Sequence, residues 1–445
     1  MSSRSTRSTD HPAPAGRTFH LESLGCAKNQ VDSELMIAAL QKAGWERASG
    51  PGAADVLIVN TCGFITEAKT QSIETSLSLK AQHPGKIVIM AGCLSERYRD
   101  TLARELPEID GFLGNRSPAD IVDLLEGRAP TAVATEPVRA YERPHLLSFP
   151  GSAYVKIAEG CANRCTYCAI PLIRGELASR DRAEIVAEIR GLRERGIKEL
   201  ILIAQDLGSY GKDRGSAELV PLLSDIAAME GDFWVRLLYI HPDRFPMGLL
   251  DLVAADPRFL PYFDLPFQHA APGILRAMGR RGEPERNLAL VSEIRGRLPL
   301  AAIRSTFLLG FPGETDADFA ELLDFQDKAR LDWVGAFTYS REEDTPAYSM
   351  AGKVTKATAA RRKAELEMRQ VPITERALDA RVGTTLEVLV EEQVEGEDMS
   401  IGRGYLQAPD VDGLVVLRRR LSPGTTARAR ITRRNGVDLE AEIVS

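Results

Sequence analysis

The run Cys161-Ala-Asn-Arg-Cys165-Thr-Tyr-Cys168 places three thiols within one short segment. Cysteine thiolates ligate iron-sulfur clusters, and a cubane has four irons, so three ligands leave one iron without a protein ligand. An open position on a metal can take a substrate, as catalytic metal sites do. The competing assignment is a structural zinc, which wants a fourth Cys or His at short range; none lies between Ile157 and Ser179. The remaining cysteines, Cys26, Cys62 and Cys93, are far apart in the chain, yet each follows a strand-like apolar run: TFHLESLG, DVLIVNT and KIVIMAG. Ligands of open α/β sheets collect beyond the carboxyl ends of the strands, so these three can converge on a second cluster. The alternative is three unrelated buried thiols, a common use of free cysteine. Disulfides are the weaker use of an even count in a large chain that starts without an apolar export signal.

The elements that must position these thiols follow from the apolar pattern. The chain has 445 residues, enough for two or three domains. Residues 1–17, rich in Ser, Thr, Pro and Arg, read as a disordered tail. Over 18–130, short apolar runs alternate with helix-like segments, which predicts a parallel sheet with covering helices. Prolines punctuate 131–150, a linker. A second strand-helix series fills 151–378, with strands at AYVKIA, ELILIA, WVRLLY, YFDLP, IRSTFLLG and WVGAFTY. Six units are too few for a closed eight-stranded barrel and suit a partial (βα)6, TIM-like one with its site at the carboxyl ends of the strands. Lys353 to Arg381, full of Ala, Lys, Glu and Arg, predicts a helical bridge. Residues 379–445 change to short β-branched runs broken by Gly, Asp and Pro, which predicts a small antiparallel β-barrel. The fold class is α/β.

Composition narrows the function. Lys and Arg total 56 against 63 acids, a formal charge of −7, which argues against a general nucleic-acid coat protein. No apolar run approaches the roughly 20 residues of a spanning helix, so the expected place is the cytoplasm and not a membrane.

With these residues in view, SLGCAKNQVDSE, VNTCGFITEAK, AGCLSERY, EGCANRCTYCAIPLIRGELASR, LIAQDLGSYG, LPFQHA and FLLGFPGET together resemble the methylthiotransferase family of the radical S-adenosylmethionine superfamily. The resemblance covers nearly the whole chain after the tail. It implies an amino-terminal cluster domain, a radical domain and a carboxyl-terminal TRAM β-barrel. It also implies two 4Fe-4S clusters, on Cys161, Cys165 and Cys168 and on Cys26, Cys62 and Cys93, and S-adenosylmethionine as both radical source and methyl donor. In that division of labour the first triplet makes a 5'-deoxyadenosyl radical and the second carries sulfur. Two branches share the architecture. GCAKN, CGFI and AQDLGSYG are similar to the branch that modifies an aspartate of the twelfth small-subunit ribosomal protein, whereas the transfer-RNA branch more usually carries GCQMN and an Asn in place of Asp206.

Charge bears on the same choice. From Arg381 onward there are nine arginines, no lysine and eleven acids, weak equipment for a phosphate backbone and suited to a basic protein. Ordinary solvated faces are the plain alternative, and Arg418, Arg419, Arg420, Arg433 and Arg434 could still form a ribosomal-RNA patch. The resemblance further implies a low-potential electron donor such as a flavodoxin or ferredoxin. It makes Tyr167 a neighbour of the S-adenosylmethionine adenine, in competition with core filling, and Gln205, Asp206 and Gln268 contacts to cofactor or substrate, in competition with loop hydrogen bonding. Gly310, in GFPGE, is expected to wall the cofactor pocket or to form a tight turn. Arg174 and Arg180 are candidates to pair with a carboxylate of the cofactor or of the target. His241 and His269 receive no role. The rival outside this family is a non-catalytic iron-sulfur electron carrier or nucleic-acid-binding module.

Overall fold

The computed structural model describes residues 16–128 and 143–444. The expected tail, apart from its last two residues, and most of the expected linker lie outside the described residues. The chain forms two compact units. One runs to Leu147 and also takes in Leu172–Arg174; the other comprises Ser148–Pro171 and Gly175 onward.

The first unit is built on five parallel strands in the order Glu46–Arg47, Thr18–Ser23, Val56–Thr61, Ile87–Gly92, Gly111–Leu113. Val56–Thr61 is central and buried at every position, which is why it reads as a continuous apolar run and not as an alternating one. Successive side chains enter opposite cores: Val56 and Ile58 pack with Phe19, Met36 and Leu40, while Leu57 and Val59 pack with Val88, Met90 and Leu102. Helices Ala27–Lys42, Thr66–Gln82 and Cys93–Glu105 follow the strands at 18–23, 56–61 and 87–92. The two-residue edge strand Glu46–Arg47 is exposed and too short for any periodicity to announce it.

The second unit carries six parallel strands in chain order: Ser152–Lys156, Glu199–Ile203, Trp234–Leu237, Phe259–Asp264, Ala302–Leu309 and Trp333–Thr338. The sheet is open between its first and last strands, as six units require. The helical bridge spans Lys356–Asp379 and packs on the last strand. It leads into a closed five-stranded barrel of Thr385–Gln393, Ser400–Arg403, Val415–Leu417, Asp438–Ile443 and Thr426–Asn435. Four of its five strand pairs are antiparallel, as expected, and one departs from that expectation: Val415–Leu417 pairs parallel with Asp438–Ile443. Five strands cannot alternate in direction around a closed ring, so an odd-numbered barrel must contain a parallel pair.

Within this unit the barrel is tied to the starts of the parallel strands by buried charge. Glu199 and Arg236, both fully buried, pair at 2.6 Å. Arg403 reaches Glu199 at 2.7 Å and Glu391 at 2.6 Å. Arg236 also donates to the carbonyls of Gly404 and Tyr405, and Trp333 Nε1 to that of Leu406 at 2.7 Å. Burial by itself would raise the Glu199 pKa, but the guanidiniums of Arg403 and Arg236 outweigh it and bring it down to about 2.

Candidate functional site

In the first unit each cysteine sits where a strand gives way to a helix. Cys26 is the residue before helix Ala27–Lys42, Cys62 follows Val56–Thr61, and Cys93 opens helix Cys93–Glu105 directly after Ile87–Gly92. Cys26 and Cys93 therefore both stand at helix amino termini. Glycines let the three turns crowd together. A Cβ on Gly25 (φ +94°) would stand 3.0 Å from the Cys62 Cβ, and one on Gly63 would press within 2.8 Å of the Cys93 backbone. Burial pushes the Cys62 thiol up to about 11, and repulsion from Cys93 and Cys26 adds to it; burial also raises Cys93, opposed chiefly by Arg174.

The Cys93 sulfur is enclosed by polar groups. Asn115 Nδ2 lies 3.4 Å from it, Arg174 Nη2 3.3 Å, and the thiol donates to Asn29 Oδ1 at 3.2 Å. Asn29 is itself held by its amide, which donates to the carbonyls of Leu24 and Thr61. Arg174 pairs with a carboxylate of its own chain, Asp32 at 2.9 Å. Arg180 does likewise, pairing with Glu188 at 2.6 Å and donating to the Lys156 carbonyl. Sequence reasoning missed Asn29 and Asn115. Asn29 had a signal, since it closes the GCAKN motif.

In the second unit the Cys161–Cys168 loop is pinned from below. Thr166 N donates to the Met278 carbonyl at 3.0 Å and Thr166 Oγ1 to that of Ala277 at 2.7 Å. Gly279 (φ +78°) allows this approach, since a Cβ there would lie 2.7 Å from the Arg164 carbonyl oxygen. Burial raises Cys161 and holds Cys168 up to about 12, and the neighbouring thiols raise both further by repulsion, so the three are mutual neighbours. Among the described residues no three His, Cys, Asp or Glu side chains are arranged to hold a single metal ion. A cubane presents its irons at separate corners, so each triplet suits a cluster without meeting at one point. Both sets offer three crowded thiols and no fourth, which fits a 4Fe-4S cluster with one open iron. Metal binding requires thiolates, so assembly releases protons and is favoured as pH rises toward these raised values.

The predicted companions divide. Gln205, two residues beyond the buried end of Glu199–Ile203, has both amide atoms buried with no hydrogen-bond partner among the described residues. Asp206 is fully engaged: it accepts from Asn163 Nδ2 at 3.0 Å, from Ser209 and Gly208, and from His241 N, and so braces the cysteine loop. Gln268 adopts φ +70°, a strained backbone state for a residue other than glycine, with its N–H and carbonyl tied to Thr306 and Leu308. Tyr167 packs edge-on to Phe311 at 6.5 Å and accepts from Arg280 at 3.3 Å. Half-buried Arg280 was not foreseen, and nothing local in the sequence marks it. Gly310 (φ +78°) forms a turn closed by Glu314, which accepts from the Gly310 and Phe311 N–H groups; a Cβ would collide with Ala359 of the bridging helix at 2.5 Å. His241 and His269 each accept a nearby backbone N–H, and burial lowers both to about 4, so they are neutral at neutral pH. Most of the arginines expected as a nucleic-acid patch are paired internally: Arg418 and Arg433 flank Glu440, and Arg434 binds Glu375 and Asp379.

Comparison with known proteins agrees with this geometry. Residues 18–114 match the uncharacterized protein family UPF0004, residues 155–325 the radical SAM superfamily and residues 382–444 the TRAM domain. A ribosomal protein uS12 methylthiotransferase RimO of Treponema denticola is 46% identical, the alignment covering 94% of this chain and 99% of the relative. Its namesake in Carboxydothermus hydrogenoformans is 40% identical over 96% of this chain and 99% of the relative. Among solved structures, the radical S-adenosylmethionine methyltransferase TsrM of Kitasatospora setae, with cobalamin and a [4Fe-4S] cluster bound, superposes at a TM-score of 0.55. At 17% identity, over 75% of this chain and 74% of that one, it shares the fold.

Proposed function

This chain belongs to the RimO family of ribosomal protein uS12 methylthiotransferases, and on that premise we propose that it places a methylthio group on the β-carbon of an aspartate side chain of uS12. The observation that carries the reading is the pair of three-thiol sites, one per unit, each crowded at the carboxyl ends of parallel strands and each without a fourth ligand. When bound, S-adenosylmethionine and the two clusters supply the radical, the sulfur and the methyl group.

The chain's own residues do the positioning. Asp206 holds Asn163, and through it the Cys161–Cys168 loop. Arg280 fixes the Tyr167 ring beside the same loop. Gln205 is offered for cofactor or substrate, since a buried amide without a partner costs free energy until a ligand supplies one. Gln268 and Gly310 complete the set proposed to line the cofactor side, with Tyr167. The internally paired arginines of the barrel leave little net positive charge for a phosphate backbone and favour a basic ribosomal protein over transfer RNA, while a ribosomal-RNA contact through the barrel stays part of the proposal. A low-potential flavodoxin or ferredoxin is the proposed electron donor. Among the described residues no helix is long and apolar enough to cross a membrane.

The test is anaerobic incubation of reconstituted enzyme, S-adenosylmethionine and reductant with uS12 and transfer RNA in parallel, with mass spectrometry of both. A methylthio gain on an aspartate-containing uS12 peptide is expected. Gain only on RNA would overturn the protein-modifying assignment. Gln205→Leu separates a ligand contact from a structural one: we expect affinity for S-adenosylmethionine or uS12 to fall about tenfold while thermal stability is kept or raised, because no internal hydrogen bond is lost. A fall in stability with unchanged affinity would refute the contact.

A further inference from the structure

Arg174 and Asp32 form a buried ion pair whose side chains are only 2% and 3% exposed. Burying both charges is costly, and a well-packed apolar pair would stabilise the unit as well or better. The pair is therefore poorly explained by stability alone. Its geometry is directed: Arg174 Nη2 lies 2.6 Å from Asn29 Oδ1, 2.9 Å from Asp32 Oδ2 and 3.3 Å from Cys93 Sγ. One nitrogen of a delocalised cation is thus anchored by two oxygens and presented to a cysteine sulfur, with Asn115 Nδ2 donating to the same sulfur at 3.4 Å. Arg174 serves here as a positioning residue acting through Cys93.

We propose that Arg174 sets the reduction potential of the cluster held by Cys26, Cys62 and Cys93, by placing an N–H and a positive charge on the Cys93 sulfur, with Asp32 as the opposing charge. The inference rests on the reading of those three cysteines as a cluster site. Reduction adds one electron to the cluster, and a nearby cation stabilises the more negative state, as do N–H groups directed at the sulfurs. Arg174, Asp32 and Cys93 are all buried, so the effect is weakly screened. Asp32 works in the other direction. The two residues should therefore move the potential oppositely, which a role in packing would not do.

The experiment uses the full chain carrying Cys161→Ala, Cys165→Ala and Cys168→Ala, so that one cluster gives the signal, with iron analysis and a potentiometric titration followed by electron paramagnetic resonance. Arg174→Gln is expected to lower the reduced-to-oxidised ratio at a fixed potential about tenfold, equivalent to about 59 mV for one electron. Asp32→Asn is expected to shift the midpoint the other way, and Arg174→Lys, which keeps the charge, to stay near the parent. A cluster whose midpoint is unmoved, or moves in the same direction in both variants, overturns the inference and leaves the cysteine assignment intact. A parent that binds no iron overturns both. If Arg174→Gln loses its cluster, the Asp32→Asn arm decides, and a midpoint unchanged or lowered there refutes the proposal.

Discussion

Replacing Cys161, Cys165 and Cys168 by alanine abolishes formation of 5'-deoxyadenosine from S-adenosylmethionine and leaves a folded chain that still binds about four irons. The expectation follows from the separation of the two triplets between the two compact units. The Cys161–Cys168 loop is anchored by Thr166, whose N–H and hydroxyl donate to the carbonyls of Met278 and Ala277, so truncating the thiols spares this anchorage. The first unit buries its own two cores and carries Cys26, Cys62 and Cys93 independently. Iron analysis and chromatographic assay of 5'-deoxyadenosine check the two halves separately. Persistent cleavage in this variant would remove the radical assignment from these residues. Loss of all iron would remove the cluster assignment from the other three.

The second large effect concerns Arg403. Arg403→Met leaves Glu199 with one cationic partner and Glu391 with a buried carboxylate facing no guanidinium, at a cost of about 3–5 kcal/mol. Removing the chain beyond Arg381 goes further, because Arg236 then loses the Gly404 and Tyr405 carbonyls and Trp333 its bond to Leu406; no folded radical domain is expected from such a truncation. Acid unfolding reports the same network. The Glu199 pKa falls from the ordinary 4.5 to about 2 in the folded chain, so its contribution is complete above about 4.5 and is lost as pH falls toward 2. That displacement corresponds to roughly 3 kcal/mol. In Arg403→Met the acid transition therefore begins at higher pH, as circular dichroism against pH will show. An unchanged transition, or a stable truncated domain, would contradict the role given to the network.

The placement of the six cysteines was legible because it depends on local order. A thiol that follows an apolar run lands at a strand's carboxyl end whatever the rest of the chain does, and six runs in series give an open sheet of six strands in chain order. Other features depended on partners remote in sequence. The carboxylate that takes Arg174 is Asp32, 142 positions earlier, and no spacing rule connects them. The atom nearest the missing side chain of Gly310 belongs to Ala359, 49 positions later in the chain, a closeness that no local pattern announces. Arg418 and Arg433 share the carboxylate of Glu440, a neighbour that their own stretches of sequence do not reveal.

The sequence by itself thus determined the chemistry on offer, the strand-helix order and the family, because thiol type, short spacing and apolar period are properties of contiguous residues. Tertiary structure decided which charges are spent inside the protein, which polar atoms are left for a ligand, and the parallel closure of the barrel. Those outcomes are set by packing and ring closure, which bring together residues that contiguous pattern leaves independent.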